Sequence, residues 1–460
     1  MKNVYMVSLG CPKNLVDSEV MLGVLEQAGY TLVDSPEEAG ILLVNTCGFI
    51  QPAVEEAIDV ILDLAACKAA HPQQQLVVTG CMVQRYGREL LGELPEVDLF
   101  IGLDDFPRLS ALLARSSRSP DMIIQPGSAT FLMDSTHHRR LATPSFRSYL
   151  KITEGCDNRC SYCMIPSIRG SLRSRDIADL VHEAQLLEEM GVRELCLVAQ
   201  DLTAFGVDRQ TGATLVHLLA QLLRQTNIPW IRLLYAYPSG ISDDLLQLMA
   251  DEPRVLPYLD IPFQHVSSRI LQRMNRHYDQ QVLDNLMVRI RTYLPHCSVR
   301  TTLMVGFPGE TTEDIELMVA ALERWQLDHV GVFPYQDEDG SGAALLTGKV
   351  TDEEKAIRYD QVMAIQAEIS RNRLQRLVGN VEPVLVEGVS AESELLLEGR
   401  TRYQAPEIDG CVYLTSGQVN PGDIVSVRIT EAHTYDLVGE VIEGEQEGTD
   451  AEKTNRRNFC

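Results

Sequence analysis

The chain has 460 residues and carries 65 acidic against 40 basic side chains, a formal net charge of −25. That length exceeds one typical core and calls for about three domains, while 45% apolar residues with moderate Pro and Gly argue against disorder or a fibrous repeat. Such acidity disfavours a nucleic-acid backbone unless a local basic patch exists, and it suits a basic macromolecular partner.

The start, MKNVYMVSLG, has too short an apolar run for a secretion signal, and no run of about 18 apolar residues follows. A soluble cytoplasmic protein is expected. Eleven cysteines, an odd number spread over the whole length, fit reduced thiols or metal ligands better than a disulfide framework.

In chain order, short β-branched runs first alternate with amphipathic stretches. Strands are predicted at Val4–Leu9, Ile41–Asn45, Leu76–Thr79 and Asp98–Ile101, with helices at Leu15–Ala28 and Ala53–Ala66. This reads as an amino-terminal α/β domain with a mainly parallel sheet, residues 1–110. Residues 111–146 lose that rhythm and form a polar, partly basic linker with room for one short strand.

From residue 147 to 377 the alternation returns on a larger scale. Predicted strands at Ser148–Ile152, Glu194–Ala199, Trp230–Tyr235, Tyr258–Ile261, Val299–Val305 and Val330–Phe333 fit a partial or full (βα) barrel, whose carboxyl-end loops are available for chemistry. After a predicted helix at Asp352–Leu377, five short strands between residues 378 and 443 argue for a small all-β barrel. The polar end, residues 444–460, reads as a flexible tail.

Cys156, Cys160 and Cys163 in GCDNRCSYC carry the sharpest local signal. Three thiolates at this spacing can wrap one cluster, and no fourth ligand follows at zinc-finger spacing. Three protein ligands on a cubane would leave one iron open to a small molecule. Cys11, Cys47 and Cys81 each follow a predicted strand, so in a parallel sheet they emerge on one edge. On spacing alone they are a shared metal site, buried core thiols or a redox pair. Cys67, Cys196, Cys297 and Cys411 read as small core hydrophobes.

Secondary candidates each have two readings. Gly306 and Gly309 either let backbone approach a cofactor or make a tight turn; Gln200 and Asp201 either meet a cofactor or face solvent. Arg169, Arg173 and Arg175 form a basic patch for an anion or substrate carboxylate, or a solvated face. His265 is a substrate contact or a structural histidine.

GCDNRCSYC, with Tyr162 just before the last cysteine, resembles the cluster loop of radical S-adenosylmethionine enzymes. With the first cysteine group and the terminal β domain, the chain resembles the methylthiotransferase branch of that superfamily over roughly residues 1 to 443, the β domain being of the TRAM type. SLGCPKNLVDSE, EGCDNRCSYCMIPSIRGSLRSR, LVAQDLTAFG and EGRTRYQAPEIDG resemble the class that modifies an aspartate of protein twelve of the small ribosomal subunit, rather than the class acting on adenosines of transfer RNA. Eleven acidic and three basic side chains between residues 380 and 440 agree with a basic protein substrate.

The resemblance implies two 4Fe-4S clusters, one on Cys156, Cys160 and Cys163 and an auxiliary one on Cys11, Cys47 and Cys81. It implies S-adenosylmethionine at the open iron, cleaved by one electron to a radical that takes hydrogen from the substrate β-carbon, followed by sulfur delivery from the auxiliary site and methylation by a second S-adenosylmethionine. Tyr162, Gln200, Asp201, Gly306 and Gly309 are then cofactor contacts, and Arg169, Arg173, Arg175 and His265 substrate contacts. The expected partners are the ribosomal protein, free or in the 30S subunit, and a flavodoxin-like electron donor, with no membrane and no nucleic acid as direct substrate. Two alternatives share these features: a transfer-RNA methylthiotransferase, and a non-catalytic ribosome-assembly protein with structural clusters.

Overall fold

The computed structural model describes residues 2–116, 122–123, 127 and 129–442. The proposed tail at 444–460, Cys460 included, lies outside the described residues. The chain divides into two compact units, residues 1–366 and 367–460.

The first unit opens with six strands, β1 (Asn3–Ser8), β2 (Thr31–Leu32), β3 (Ile41–Thr46), β4 (Gln75–Gly80), β5 (Leu99–Ile101) and β6 (Met122–Ile123). They pair in parallel in the order β2-β1-β3-β4-β5-β6. Every residue of β3, ILLVNT, is buried, because apolar clusters cover both faces of the sheet. The order reverses between β1 and β3, the place where open α/β sheets present a ligand crevice at their carboxyl ends.

Helix α1 (Pro12–Gln27) starts directly after Cys11, with Pro12 in its first turn, where a missing N–H costs nothing. It begins three residues before its predicted start. Its buried set is unusual, holding Lys13, Asn14, Asp17, Ser18 and Glu19 beside Val16, Val20 and Met21. A polar helix face of this kind is normally wet; here the barrel lies against it.

That barrel is built from β7 (Arg147–Lys151), β10 (Glu194–Val198), β11 (Trp230–Leu233), β12 (Val255–Asp260), β13 (Ser298–Val305) and β14 (His329–Pro334), with a small antiparallel pair β8 (Thr153–Glu154) and β9 (Arg173–Ser174) beside the first strand. The six main strands are parallel, in the order β14-β13-β12-β11-β10-β7, and remain an open sheet: a partial barrel. Amphipathic helices cover its outer side, such as Leu215–Gln225, which buries Leu215, Leu218, Leu219 and Leu222 and is capped by the Thr214 side chain.

The expected polar linker is more ordered than its composition suggests. A helix, Leu109–Ser116, runs into it, and Arg139 is buried between Glu19 of α1 and Glu183 of the helix Ile177–Glu189. His137 packs edge-on against Phe131, and His138 pairs with Glu26.

The second unit holds β15 (Val381–Ser390), β16 (Ser393–Thr401), β17 (Val412–Leu414), β18 (Ile424–Ala432) and β19 (Leu437–Val441), which close into a barrel in the order β15-β16-β17-β19-β18. Val384, Val386, Val412, Leu414, Val427, Ile429 and Leu437 fill it. Among the described residues no helix is long and apolar enough to cross a membrane.

Candidate active site

Three strand ends of the amino-terminal sheet supply the first cysteine group. Cys11 follows β1, Cys47 follows β3, and Cys81 follows β4 as the first residue of α3 (Cys81–Tyr86). The three thiols are near enough to influence one another electrostatically. Close backbone approach makes this possible: a Cβ on Gly10 would lie 2.9 Å from the Cys47 Cβ. Burial pushes the Cys81 thiol up to about 12 and raises Cys47. Burial would raise Cys11 too, but the Lys13 and Arg169 cations outweigh it and hold that thiol below its ordinary value.

The second group lies on the loop after β8. Cys156, Cys160 and Cys163 again feel one another's charge, and burial raises Cys156 to about 11 and Cys163 to about 12. Arg276 braces this loop, donating toward Cys160 Sγ at 3.6 Å and to Tyr162 Oη at 3.4 Å, with its guanidinium 4.5 Å from the Tyr237 ring centroid. Asn158 ties the same loop to Asp201 at 2.7 Å. Among the described residues no three His, Cys, Asp or Glu side chains are spaced for a single metal ion. Thiolates that each bind a different iron of a cubane need not converge so tightly. Two sets of three thiols, Cys81 buried and the other five partly buried, fit such clusters in number and chemistry.

The carboxyl edges of the two sheets face each other. Arg85, after β4, pairs with Glu338 at 2.9 Å, and the Gln51 backbone N–H, after β3, donates to the same carboxylate at 2.8 Å. Asp17 of α1 pairs with Lys151 at the end of β7 and with Arg169 at 2.8 Å. Arg169 also donates to Glu154 at 3.1 Å, to Asn14 Oδ1 at 3.1 Å and to Cys81 Sγ at 3.2 Å. Burial would raise the Glu154 carboxyl, yet Lys151 and Arg169 hold it down at about 2. Lys13 reaches across the same seam, its Nζ 3.4 Å from the centroid of the Tyr235 ring just beyond β11.

The secondary candidates fall into distinct settings. Arg169 is buried in this seam rather than on a solvated face. Arg175 is buried with Asp179 and Glu183 on the side of the barrel, and Arg173 donates to the backbone carbonyls of Ser171 and Arg169. His265 is fully buried: Nε2 meets Glu310 at 3.2 Å and Nδ1 accepts from the Val266 and Ser267 N–H groups, the arrangement of a structural histidine. Gly306 donates to Glu310 at 2.8 Å and Gly309 to the Gly348 carbonyl at 2.7 Å, so both serve a turn. Asp201 caps the short turn Leu202–Ala204, and Gln200 is half-buried beside it.

Sequence reasoning missed Lys13, Asn14, Asp17, Lys151, Glu154 and Arg276. The one available signal was position: Lys13 and Asn14 lie two and three residues after Cys11, and Glu154 lies two before Cys156.

Comparison with known proteins follows the same division. Residues 3–102 match an uncharacterized protein family, UPF0004, residues 150–322 the Radical SAM superfamily, and residues 378–442 the TRAM domain. Among solved structures, a radical S-adenosylmethionine methyltransferase, TsrM, from Kitasatospora setae shares the fold, with TM-score 0.55 at 15% identity over 72% of this chain and 73% of that one. The ribosomal protein uS12 methylthiotransferase RimO of Desulfotalea psychrophila is 50% identical over 95% of this chain and 99% of its own. That of Geobacter sulfurreducens is 47% identical over 96% and 99%. At this identity over nearly the full length of both chains, the protein belongs to the ribosomal protein uS12 methylthiotransferase family.

Proposed function

We propose that the chain adds a methylthio group to the β-carbon of an aspartate in ribosomal protein uS12, using S-adenosylmethionine as radical source and methyl donor. The observation that carries this reading is that Arg169, ending the helix that starts two residues after Cys163, reaches Cys81 of the first triad at 3.2 Å, within a chain nearly half identical to such enzymes. In this reading Cys156, Cys160 and Cys163 hold the radical cluster and Cys11, Cys47 and Cys81 the auxiliary one. When bound, a 4Fe-4S cluster on three thiolates offers an open iron to S-adenosylmethionine and supplies the electron that starts radical chemistry.

The chain's own residues position and shield. Arg276 fixes the loop of Cys160 and Tyr162, and Asn158 with Asp201 fixes its other end. Arg85, Gln51 and Glu338 tie the two walls together on one side of the seam, and Asp17, Lys151 and Arg169 on the other. A β-carbon C–H bond is too weakly acidic for a side-chain base, so orientation toward a radical is what the fold has to supply.

The acidic β domain, residues 378–443, is proposed to hold the basic ribosomal protein, free or in the 30S subunit, with transfer RNA not a direct substrate. The accompanying division is residues 1–110, 111–146 and 147–377 for the auxiliary-cluster domain, linker and radical domain. A flavodoxin-like donor would supply electrons.

The test incubates anaerobically reconstituted protein with S-adenosylmethionine, a low-potential reductant and either uS12 or transfer RNA. The expected result is replacement of H by SCH3 on an aspartate of uS12, read by mass spectrometry. The same modification on an adenosine instead would establish the nucleic-acid activity, and absence of 5′-deoxyadenosine would mark a non-catalytic assembly protein.

A further inference from the structure

Three cations and two carboxylates are buried in the seam beside the first triad: Lys13, Lys151 and Arg169 against Asp17 and Glu154. Lys151 and Arg169 each pair with both carboxylates. The nearby Asp260 is also committed, accepting from the Tyr235 N–H at 3.1 Å and pairing with Arg300 at 3.3 Å. Lys13 is left over. It is 5% exposed, no hydrogen bond or ion pair joins its Nζ to any described residue, and its close contact is the face of the Tyr235 ring, with Cys11, Asp260 and Glu154 acting on its charge from farther off. An ammonium so largely withdrawn from water, with a ring face as its close contact, is poorly compensated, and a carboxylate arriving in the seam would complete it.

The placement narrows which carboxylate. Lys13 lies two residues from Cys11, on the side of the seam assigned to sulfur delivery, and its ammonium reaches the carboxyl ends of the barrel strands at Tyr235. The substrate carbon has to sit between those two walls. In an aspartate the β-carbon is bonded directly to the carboxylate carbon, so a group that holds the carboxylate fixes the reacting carbon one bond away. In the proposed reading S-adenosylmethionine would be held at the opposite triad, Cys156, Cys160 and Cys163.

Resting on the activity proposed above, we infer that Lys13 binds the side-chain carboxylate of the substrate aspartate and thereby selects an aspartyl over an amide or uncharged side chain. It is a substrate-binding residue that presents a charge to the carboxylate without transferring a proton. Tyr235, at φ 66° and with its N–H donated to Asp260, forms the platform that keeps the ammonium in place.

The test measures equilibrium binding of the reconstituted full-length protein to uS12 and to uS12 with its target aspartate replaced by asparagine, for the wild type and for Lys13→Met. Iron and sulfide are counted in both proteins. The wild type should prefer the aspartyl protein by at least about tenfold, as for a desolvated charge pair, and Lys13→Met should bind both alike with its iron and sulfide unchanged. A preference that survives in Lys13→Met overturns the inference while leaving the proposed activity intact. Loss of auxiliary iron from Lys13→Met also overturns it, since Lys13 would then serve to balance cluster charge. Failure of the wild type to modify uS12 at all removes the activity itself, and the inference with it.

Discussion

Arg169 Nη2 donates to Cys81 Sγ at 3.2 Å, joining the radical domain to a thiol of the amino-terminal sheet. The arginine ends the helix Ile165–Arg169, two residues beyond Cys163 at its start, so one short helix links the neighbourhoods of both triads. A cationic donor to a ligating sulfur favours the reduced, more negative form of a cluster. Arg169→Met is therefore expected to lower the midpoint potential of the auxiliary cluster, read by potentiometric EPR titration. The same change leaves Asp17 and Glu154 with Lys151 alone, and about 3–5 kcal/mol of stability should be lost with it, seen as a lower thermal midpoint. An unchanged potential in a folded variant would show that the contact does not act on the sulfur.

Replacing Cys11, Cys47 and Cys81 together by alanine should remove half of the iron and sulfide and leave 5′-deoxyadenosine formation in place. Methylthio product should vanish. Replacing Cys156, Cys160 and Cys163 should abolish 5′-deoxyadenosine itself. Retention of full iron in the first variant would place the auxiliary site elsewhere.

Acid stability should depend on Glu183. Burial would raise its carboxyl, but Arg175 and Arg139 outweigh that and hold it below the ordinary carboxylate range. The unfolded chain then binds the proton more readily than the folded one. Glu183 stabilises the fold fully above the ordinary carboxyl value near about 4.3, and this contribution fades as pH falls through the lowered folded value. Thermal midpoints of the wild type should drop steeply below about pH 4, and Glu183→Gln should start lower at neutral pH and show a shallower acid decline.

Much of this architecture is readable from residues that are close in sequence. The continuous apolar run Ile41–Val44 announces a strand buried on both faces, and the cysteine just after it announces which sheet edge carries the chemistry. What sequence reasoning could not supply is how the two sheets meet. Asp17 and Glu19 on α1 have no cationic partner nearby in sequence, and are buried with Lys151, Arg169 and Arg139, which come from far along the chain. Arg169 reads as part of a surface patch because its partners Cys81 and Asn14 are 88 and 155 residues away. Local periodicity carries no information about such pairings.

Glu338 is the latch on the other side of the seam. Its carboxylate takes the Arg85 guanidinium on one oxygen and the Gln51 N–H on the other, and both charged side chains are almost fully buried. Glu338→Ala would strand a buried cation, a loss of about 3–5 kcal/mol. The expected consequence is faster amide hydrogen exchange in residues 48–51 and 335–341 and faster bleaching of the clusters in air. The conservative Glu338→Gln should fall between, since it keeps a hydrogen-bond acceptor without the charge.

Gly80 controls the position of Cys81. Its φ of +101° is one that side chains rarely adopt, and a Cβ there would come within 2.4 Å of Asn45 Oδ1 and 2.5 Å of the Thr46 carbonyl oxygen. Neither neighbour can yield easily. Thr46 is a residue of β3 paired opposite Gly80 itself, and Asn45 is held through its Nδ2 by the Asn14 carbonyl at 2.9 Å and Ser18 Oγ at 2.8 Å. Gly80→Ala must therefore push β4 away from β3 or turn the first residue of α3, and either movement carries the Cys81 sulfur off Arg169 and away from Cys11 and Cys47. The expected outcome is a folded protein with normal iron at the radical site and reduced auxiliary iron, counted by Mössbauer spectroscopy. A Gly80→Ala protein with full auxiliary iron would mean that the Cys81 thiol tolerates displacement, and that the other two cysteines suffice to hold the site.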